Sequence, residues 1–349
     1  MQARRYTFVF LAVLACCLGG VATFNAGVDP LWLFAHASSW NSRQVGFDER
    51  QQKTNRITFG GFDYDAVLLG SSRVTFIDQH DFPGMKVFNY AASGMRPEEY
   101  AGYVRYARER GGGGVKTVIV GIDFFGTNRN YGGRAASPEH YVGVSRRPLY
   151  RLESLISLDT LKRSQGNLKA RGEDCDCYGR DNVKRMVRPQ GERKAQILTK
   201  DLAVFRREIY GPSYAYDDSL AGQWRRLVDE NPGIRFVVFT TPISHPLFAT
   251  LVDTGHLPHY ERWLTEVVAA FGEVYDFMGA NSITGDKANY QDGGHFYPEV
   301  GRLVALRLFA DGSGVPPDFG VRVTRDNLER HLESMRQQAV RAVLAEKAP

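Results

Sequence analysis

Cysteine is scarce in this 349-residue chain, with four in all. Cys16 and Cys17 lie in one apolar run, and Cys175 and Cys177 lie in Asp174-Cys-Asp-Cys177. No other thiol remains to complete a four-thiolate zinc site. The second pair is open to two readings, a Cys-x-Cys disulfide in an oxidising compartment or two inert loop thiols. No internal repeat is visible. A basic stripe is also missing: the formal net charge is only +5 and the arginines are dispersed, which gives nucleic-acid binding little support. Charge is wholly absent from Tyr6 to Val28, and the first acidic residue is Asp29.

An apolar helix needs about 20 residues to cross the hydrocarbon core of a bilayer. Residues 6–24 suffice, and Arg4 and Arg5 ahead of them favour a cytoplasmic N-terminus. Residues 1–28 are therefore expected to form an uncleaved anchor. The alternatives are a cleaved signal peptide, with Gly20-Val21-Ala22 as its best cleavage site, and a lipoprotein modified at Cys16. Leu14 is bulky for the latter, and the apolar run continues beyond the cysteine.

About 320 residues follow the anchor, and the chain has an ordinary globular composition, 43% hydrophobic and 24% charged. Residues 29–64 read as a polar connector. Asp65-Ala-Val-Leu-Leu-Gly70, residues 85–89, 115–122, 234–240 and 274–277 read as strands. Pro97 opens a helix running to about Arg110, and helices are expected near 219–231 and 298–310. Near-continuous apolar strands alternating with helices predict an α/β domain with a parallel sheet, residues 65–320. The pattern fails from 127 to 212, where helical fragments are expected near 150–161 and 194–210. That stretch reads as an insertion, a lid or a substrate-facing subdomain. Residues 321–349 read as a C-terminal amphipathic helix, with Leu328, Leu332, Met335, Ala339, Val343 and Leu344 on one face.

Four features at the expected strand ends carry chemistry. Gly70-Ser71-Ser72-Arg73 follows the first strand, where a serine would rise to the carboxyl edge of a parallel sheet with its N–H facing a developing oxyanion near a helix N-terminus. A serine acting only as a helix N-cap is the plainer reading. Asp292-Gly-Gly-His295-Phe296 can supply a base and the acceptor that orients it, the two glycines permitting a sharp turn. A surface loop or half a metal site is the alternative, but further metal ligands are not nearby in sequence, and no metal or cofactor is expected. Asn89-Tyr-Ala-Ala-Ser-Gly94 offers an unhindered backbone N–H at Gly94. Gly121-Ile-Asp123-Phe-Phe-Gly-Thr-Asn128 brings polar side chains to the same edge. Both are otherwise ordinary loops. His245, in Thr240-Thr-Pro-Ile-Ser-His-Pro246, is expected to be a substrate contact or a structural histidine. Arg73 could bind an anionic sugar or carboxylate, but reads more simply as an exposed helix arginine.

Together these residues resemble the SGNH (GDSL-like) hydrolase superfamily over roughly residues 65–311. Gly70-Ser71-Ser72 is similar to its first block with Ser72 as nucleophile, Gly94 to its second-block glycine, and Asp292-x-x-His295 to its last block with His295 as base. The third block departs, because Asp123 stands where an asparagine that donates to the oxyanion is expected, and a carboxylate cannot donate unless protonated. Asn128 could replace it. The α/β-hydrolase fold is rejected, since Val74 breaks the Gly-x-Ser-x-Gly elbow and only one strand precedes the serine. The resemblance implies a flavodoxin-like three-layer α/β/α sandwich. With the anchor and the weakly matching Asn25-Ala-Gly-Val-Asp29-Pro30, it extends to a divergent membrane-anchored group that includes proteins of alginate O-acetylation and teichoic-acid D-alanylation. That implies a single-pass protein of the bacterial inner membrane with its domain in the periplasm. The expected activity is an esterase or O-acyltransferase acting on acylated cell-surface polysaccharide, with a multi-spanning membrane acyltransferase as an expected partner. The rival expectation is a non-catalytic member that binds polysaccharide or such a partner.

Overall fold

The uncharged N-terminal run is one helix, Gln2–Val28, long and apolar enough to cross a membrane, with none of its apolar window buried. Twenty-seven residues rise about 40 Å, more than a bilayer core requires. The structure, a computed structural model, describes residues 2–133, 135–172, 174–310 and 312–346, with the side chains of 342–346 outside the described set. Among the described residues eight strands follow in chain order: β1 (Ala66–Leu69), β2 (Val87–Asn89), β3 (Thr117–Ile122), β4 (Cys177–Tyr178), β5 (Lys184–Arg185), β6 (Arg235–Thr240), β7 (Glu273–Asp276) and β8 (Val321–Thr324). The chain divides into two compact units, residues 1–62 with 137–187, and residues 63–136 with 188–349.

The first unit joins residues 29–62, expected as a connector, to residues 137–187, the middle of the expected insertion 127–212. Residues 29–62 hold a helix, Glu49–Phe59, capped by the Asp48 carboxylate, and they pack with 137–187. Hydrophobic periodicity could not reveal this, because the interior is built from polar groups. The buried Asp29 carboxylate accepts the N–H groups of Leu33 (2.7 Å) and Phe34 (3.1 Å) and pairs with Arg180 at 2.9 Å. Asn25 donates to the Leu155 carbonyl at 2.8 Å and accepts Ser164 Oγ at 2.9 Å. Glu49 accepts Tyr178 OH at 2.6 Å and Lys184 at 2.9 Å. Cys175 and Cys177 form a disulfide beside the short antiparallel pair β4–β5.

Lys53 is fully buried in this unit, its Nζ 5.0 Å from the centre of the Tyr178 ring. Burial drives its ammonium down to about 7, against the opposing pull of Glu49 and with help from the charge of Lys184. Below about pH 7 both folded and unfolded chains keep the proton and the penalty is constant. Between there and the ordinary value of 10.5 the unfolded chain binds more protons, so stability rises with pH. Thermal denaturation of the first unit's transition should move upward from neutral pH to pH ~9. Lys53→Met should raise the midpoint at neutral pH and flatten that dependence; an unchanged slope would refute the assignment.

The second unit contains a six-stranded sheet in the order β2-β1-β3-β6-β7-β8. The five strands from β2 to β7 are parallel, with Leu68 paired to Asn89 on one side and to Ile119 on the other. The sheet is not wholly parallel as expected, because β8 runs antiparallel to β7. Residues 321–324 thus form an edge strand, and the C-terminal helix is Leu328–Glu346, with Leu332, Met335 and Ala339 buried. Val343 and Leu344 lie outside the described side chains. Only Val323 of β8 is buried, too little apolar signal to mark a strand. Two further helices, His245–Asp253 and Leu257–Phe271, occupy a stretch the sequence pattern left unassigned. Strands β1 and β3 are buried along their whole length, and the core gathers Leu68, Ile119, Phe239, Phe277, Phe296 and Val304. From β1 the chain goes to β2 on one side and returns to β3 on the other. The crevice at the carboxyl ends of β1 and β3 is where sheets of this order bind ligands.

Candidate active site

The site begins at Gly70, where β1 ends. Its φ is +151°, and a Cβ there would lie 2.4 Å from Val74 Cγ2 and 2.7 Å from the Gly121 carbonyl. Only glycine lets the chain leave β1 so tightly against the Gly121 carbonyl of β3. The turn ends in a single 3₁₀ turn, Val74–Phe76, not the α-helix expected after Ser72, so little helix dipole acts here. Ser72 is half-buried, and its Oγ lies 2.9 Å from His295 Nε2. His295 Nδ1 lies 2.7 Å from Asp292 Oδ2. The other carboxylate oxygen, Oδ1, accepts the N–H groups of Gly294 (2.8 Å) and His295 (2.7 Å). Phe76 meets the imidazole edge-on, ring centres 6.0 Å apart.

The electrostatics fix the direction of the chain of bonds. Burial alone would push the Asp292 carboxyl up, but its hydrogen bond to His295, that ring's charge and the two backbone donors outweigh burial and hold it below the ordinary carboxylate value. An ionised carboxylate only accepts, so in the neutral ring Nδ1 carries the proton and Nε2 is left to accept from Ser72. Asp201, on the helix Gly191–Val204, accepts the Gly293 N–H at 3.0 Å. Burial, with the charge of Asp292 added, pushes the Asp201 carboxyl up. No local motif marks Asp201, which lies 91 positions before Asp292 in a stretch read as an insertion.

Gly293 and Gly294 serve differently from the expectation. Neither has a positive φ. A Cβ at 293 would meet Asp201 Oδ2 at 2.8 Å, and one at 294 would meet Arg73 Nη2 at 2.5 Å. The two glycines admit neighbouring side chains and are not needed for the turn itself.

Arg73 is buried, 3% exposed, and is not the exposed helix arginine expected. Its Nη1 donates to Asp123 Oδ1 at 2.9 Å and to Thr241 Oγ1 at 3.3 Å, while Thr241 donates to the same Asp123 oxygen. Its guanidinium stands 5.0 Å from the centre of the Phe125 ring. Nε and Nη2 have no hydrogen-bond partner among the described residues. Asp123 is therefore not an oxyanion donor, because its carboxylate is an acceptor that holds Arg73 across the ends of β1, β3 and β6.

Gly94 is exposed in the left-handed region at φ +63°. The Ala92 N–H bonds the Gly70 carbonyl at 3.1 Å, fastening the loop that carries Gly94 to the turn that carries Ser72. Among the described residues the N–H groups of Ser72 and Gly94 donate to nothing. Asn128 does not replace the missing donor. It is fully buried, its Nδ2 donates to the Ile209 carbonyl at 2.8 Å, and its Oδ1 accepts the N–H groups of Asn130 and Ala215. Its side chain fixes a loop. His245 opens its helix with its own N–H on the Thr284 carbonyl at 2.8 Å, and its ring makes no hydrogen bond to Ser72, Asp292 or His295. Beside Asp292 opens a cavity of about 330 Å³ lined by Lys194, Ala195, Leu198, Ser244 and Tyr290. The buried hydroxyls of Ser244 and Tyr290 have no hydrogen-bond partner among the described residues. No family model, no curated protein sequence and no solved structure matches this chain.

Proposed function

We propose that the second unit is a serine acyl-transfer domain of the SGNH type. The observation that carries this reading is the continuous chain from Ser72 Oγ through His295 to Asp292, with links of 2.9 and 2.7 Å. Ser72 Oγ attacks an ester carbonyl carbon as its proton passes to Nε2. The carbonyl oxygen becomes an oxyanion facing the N–H groups of Ser72 and Gly94. The tetrahedral species collapses, the ester C–O bond breaks, and the leaving alkoxide takes the proton from Nε2. Water or a sugar hydroxyl then attacks the acyl-enzyme, giving its proton to Nε2; the acyl–Oγ bond breaks, and Ser72 Oγ takes that proton back from Nε2. With water the protein is an esterase; with a sugar hydroxyl it is an O-acyltransferase.

The substrate proposed is acylated cell-surface polysaccharide. The cavity of about 330 Å³ beside Asp292 supports this by giving a ligand room next to the chain of bonds from Ser72 through His295. The apolar N-terminal helix supports a single-pass anchor that confines the domain to the outer surface of a bacterial inner membrane, where a multi-spanning acyltransferase could supply acyl groups. Full-length protein in detergent should react covalently with a fluorophosphonate probe and turn over p-nitrophenyl acetate, and Ser72→Ala should abolish both. Labelling that persists in Ser72→Ala removes Ser72 as nucleophile. An intact wild-type fold with neither labelling nor turnover supports the non-catalytic, polysaccharide-binding reading instead, which the acceptor-only carboxylate of Asp123 favours.

A further inference from the structure

Within ten residues the first unit exposes four large apolar side chains: Leu149 (67%), Leu152 (56%), Ile156 (42%) and Leu158 (69%). They belong to the helix Tyr150–Leu155, the residue that enters it, the residue that ends it, and the start of the helix Leu158–Lys169. Leu149 stands at φ +66°, a backbone region that leucine rarely adopts. Both helices pack on the end of the helix Gln2–Val28. The fastening is specific: buried Asn25 donates to the Leu155 carbonyl at 2.8 Å and accepts Ser164 Oγ at 2.9 Å. Trp40, also exposed, stands edge-on to Phe24 on the same helix end, ring centres 6.4 Å apart. An apolar patch is thus continuous with the point where the candidate membrane helix ends.

The charges around the patch suit a lipid surface. Arg147, Arg151, Lys162 and Arg163 are exposed over the same stretch, against Glu153 and Asp159. The Arg151 guanidinium stands over the Phe34 ring, 4.4 Å from its centre. Leucines flanked by arginines and lysines, with a tryptophan at the helix exit, are the composition that settles at the boundary between headgroups and acyl chains.

We propose that this patch is seated in the interfacial layer of the bilayer that Gln2–Val28 crosses, so that the first unit rests on lipid at a fixed angle and does not swing on a tether. The inference rests on the anchor reading of that helix. The occupant is the lipid surface, preferably anionic; a second copy or a soluble partner would be a different outcome.

The test uses the full-length chain with Cys16→Ala and Cys17→Ala, reconstituted in nanodiscs of phosphatidylethanolamine and phosphatidylglycerol. Leu152→Cys, Leu158→Cys and, as reference within the helix, Leu11→Cys each receive a nitroxide. Collision with oxygen, which concentrates in lipid, is compared with collision with an aqueous nickel chelate. Oxygen collisions should exceed chelate collisions at Leu152 and Leu158 as they do at Leu11. A lipid signal at Leu11 with a water signal at the other two overturns the seating and leaves the anchor standing. Labels at 152 and 158 shielded from both agents mean a protein occupant and also overturn it. A water signal at all three removes the anchor, and this inference with it.

Discussion

Asp292→Asn should lower kcat/KM for an activated ester by about 10³- to 10⁴-fold while leaving the fold intact, the scale known for removal of the charge behind a catalytic histidine. The geometry says why. Asp292 Oδ1 accepts two backbone N–H groups, so an asparagine keeps its oxygen there and turns its NH₂ toward His295 Nδ1. Nδ1 must then accept, and the ring proton moves to Nε2. That proton faces Ser72 Oγ at 2.9 Å, where an acceptor is required. The base is present but in the wrong tautomer. Because both backbone bonds survive, the thermal midpoint should change little. Steady-state kinetics and a melting curve on the same preparation decide the matter. Near-native turnover would mean that Asp292 does not orient the base, and collapse of the fold would mean that its role is structural.

Ser72, Asp292 and His295 were legible because their signals are local. A glycine-serine turn after an apolar strand and a carboxylate three residues before a histidine each fit within one loop, and the chain order supplied the rest. What surrounds them was not legible, because it is assembled over distance. Arg73, Asp123 and Thr241 come from the ends of three different strands, and no short window contains them. Gly293 and Gly294 were misread for the same reason, since the atoms that forbid a side chain there belong to Asp201 and Arg73. Asn128 looked free to donate in sequence, but its amide is taken up by the Ile209 carbonyl, 81 residues later. The first unit was missed on other grounds. Periodicity reports apolar faces, and the inward residues of Glu49–Phe59 include Glu49, Gln52, Lys53, Thr54 and Asn55.

The Arg73–Asp123 pair should dominate the response of the second unit to mutation. Both side chains are almost wholly buried, 3% and 5% exposed, at 2.9 Å from one another. Arg73→Met leaves a buried carboxylate with Thr241 as its one side-chain donor among the described residues, a loss of about 3–5 kcal/mol by analogy with other broken buried pairs. Asp123→Asn leaves the guanidinium without its counter-charge and should cost a similar amount. The double variant removes both charges and should recover much of the stability, since a buried pair replaced as a unit is often nearly neutral. Activity separates two roles that stability alone cannot. Arg73 follows Ser72 directly, and its Nε and Nη2 have no acceptor among the described residues. If its charge serves the transition state in place of the missing asparagine donor, the restabilised double variant should still lose about 10²- to 10³-fold in kcat, with KM little changed, the cost of one oxyanion donor. If Arg73 only braces the turn beneath Gly294, kcat should return together with the thermal midpoint. A double variant that is stable and fully active would therefore leave the N–H groups of Ser72 and Gly94 as the whole of the oxyanion site.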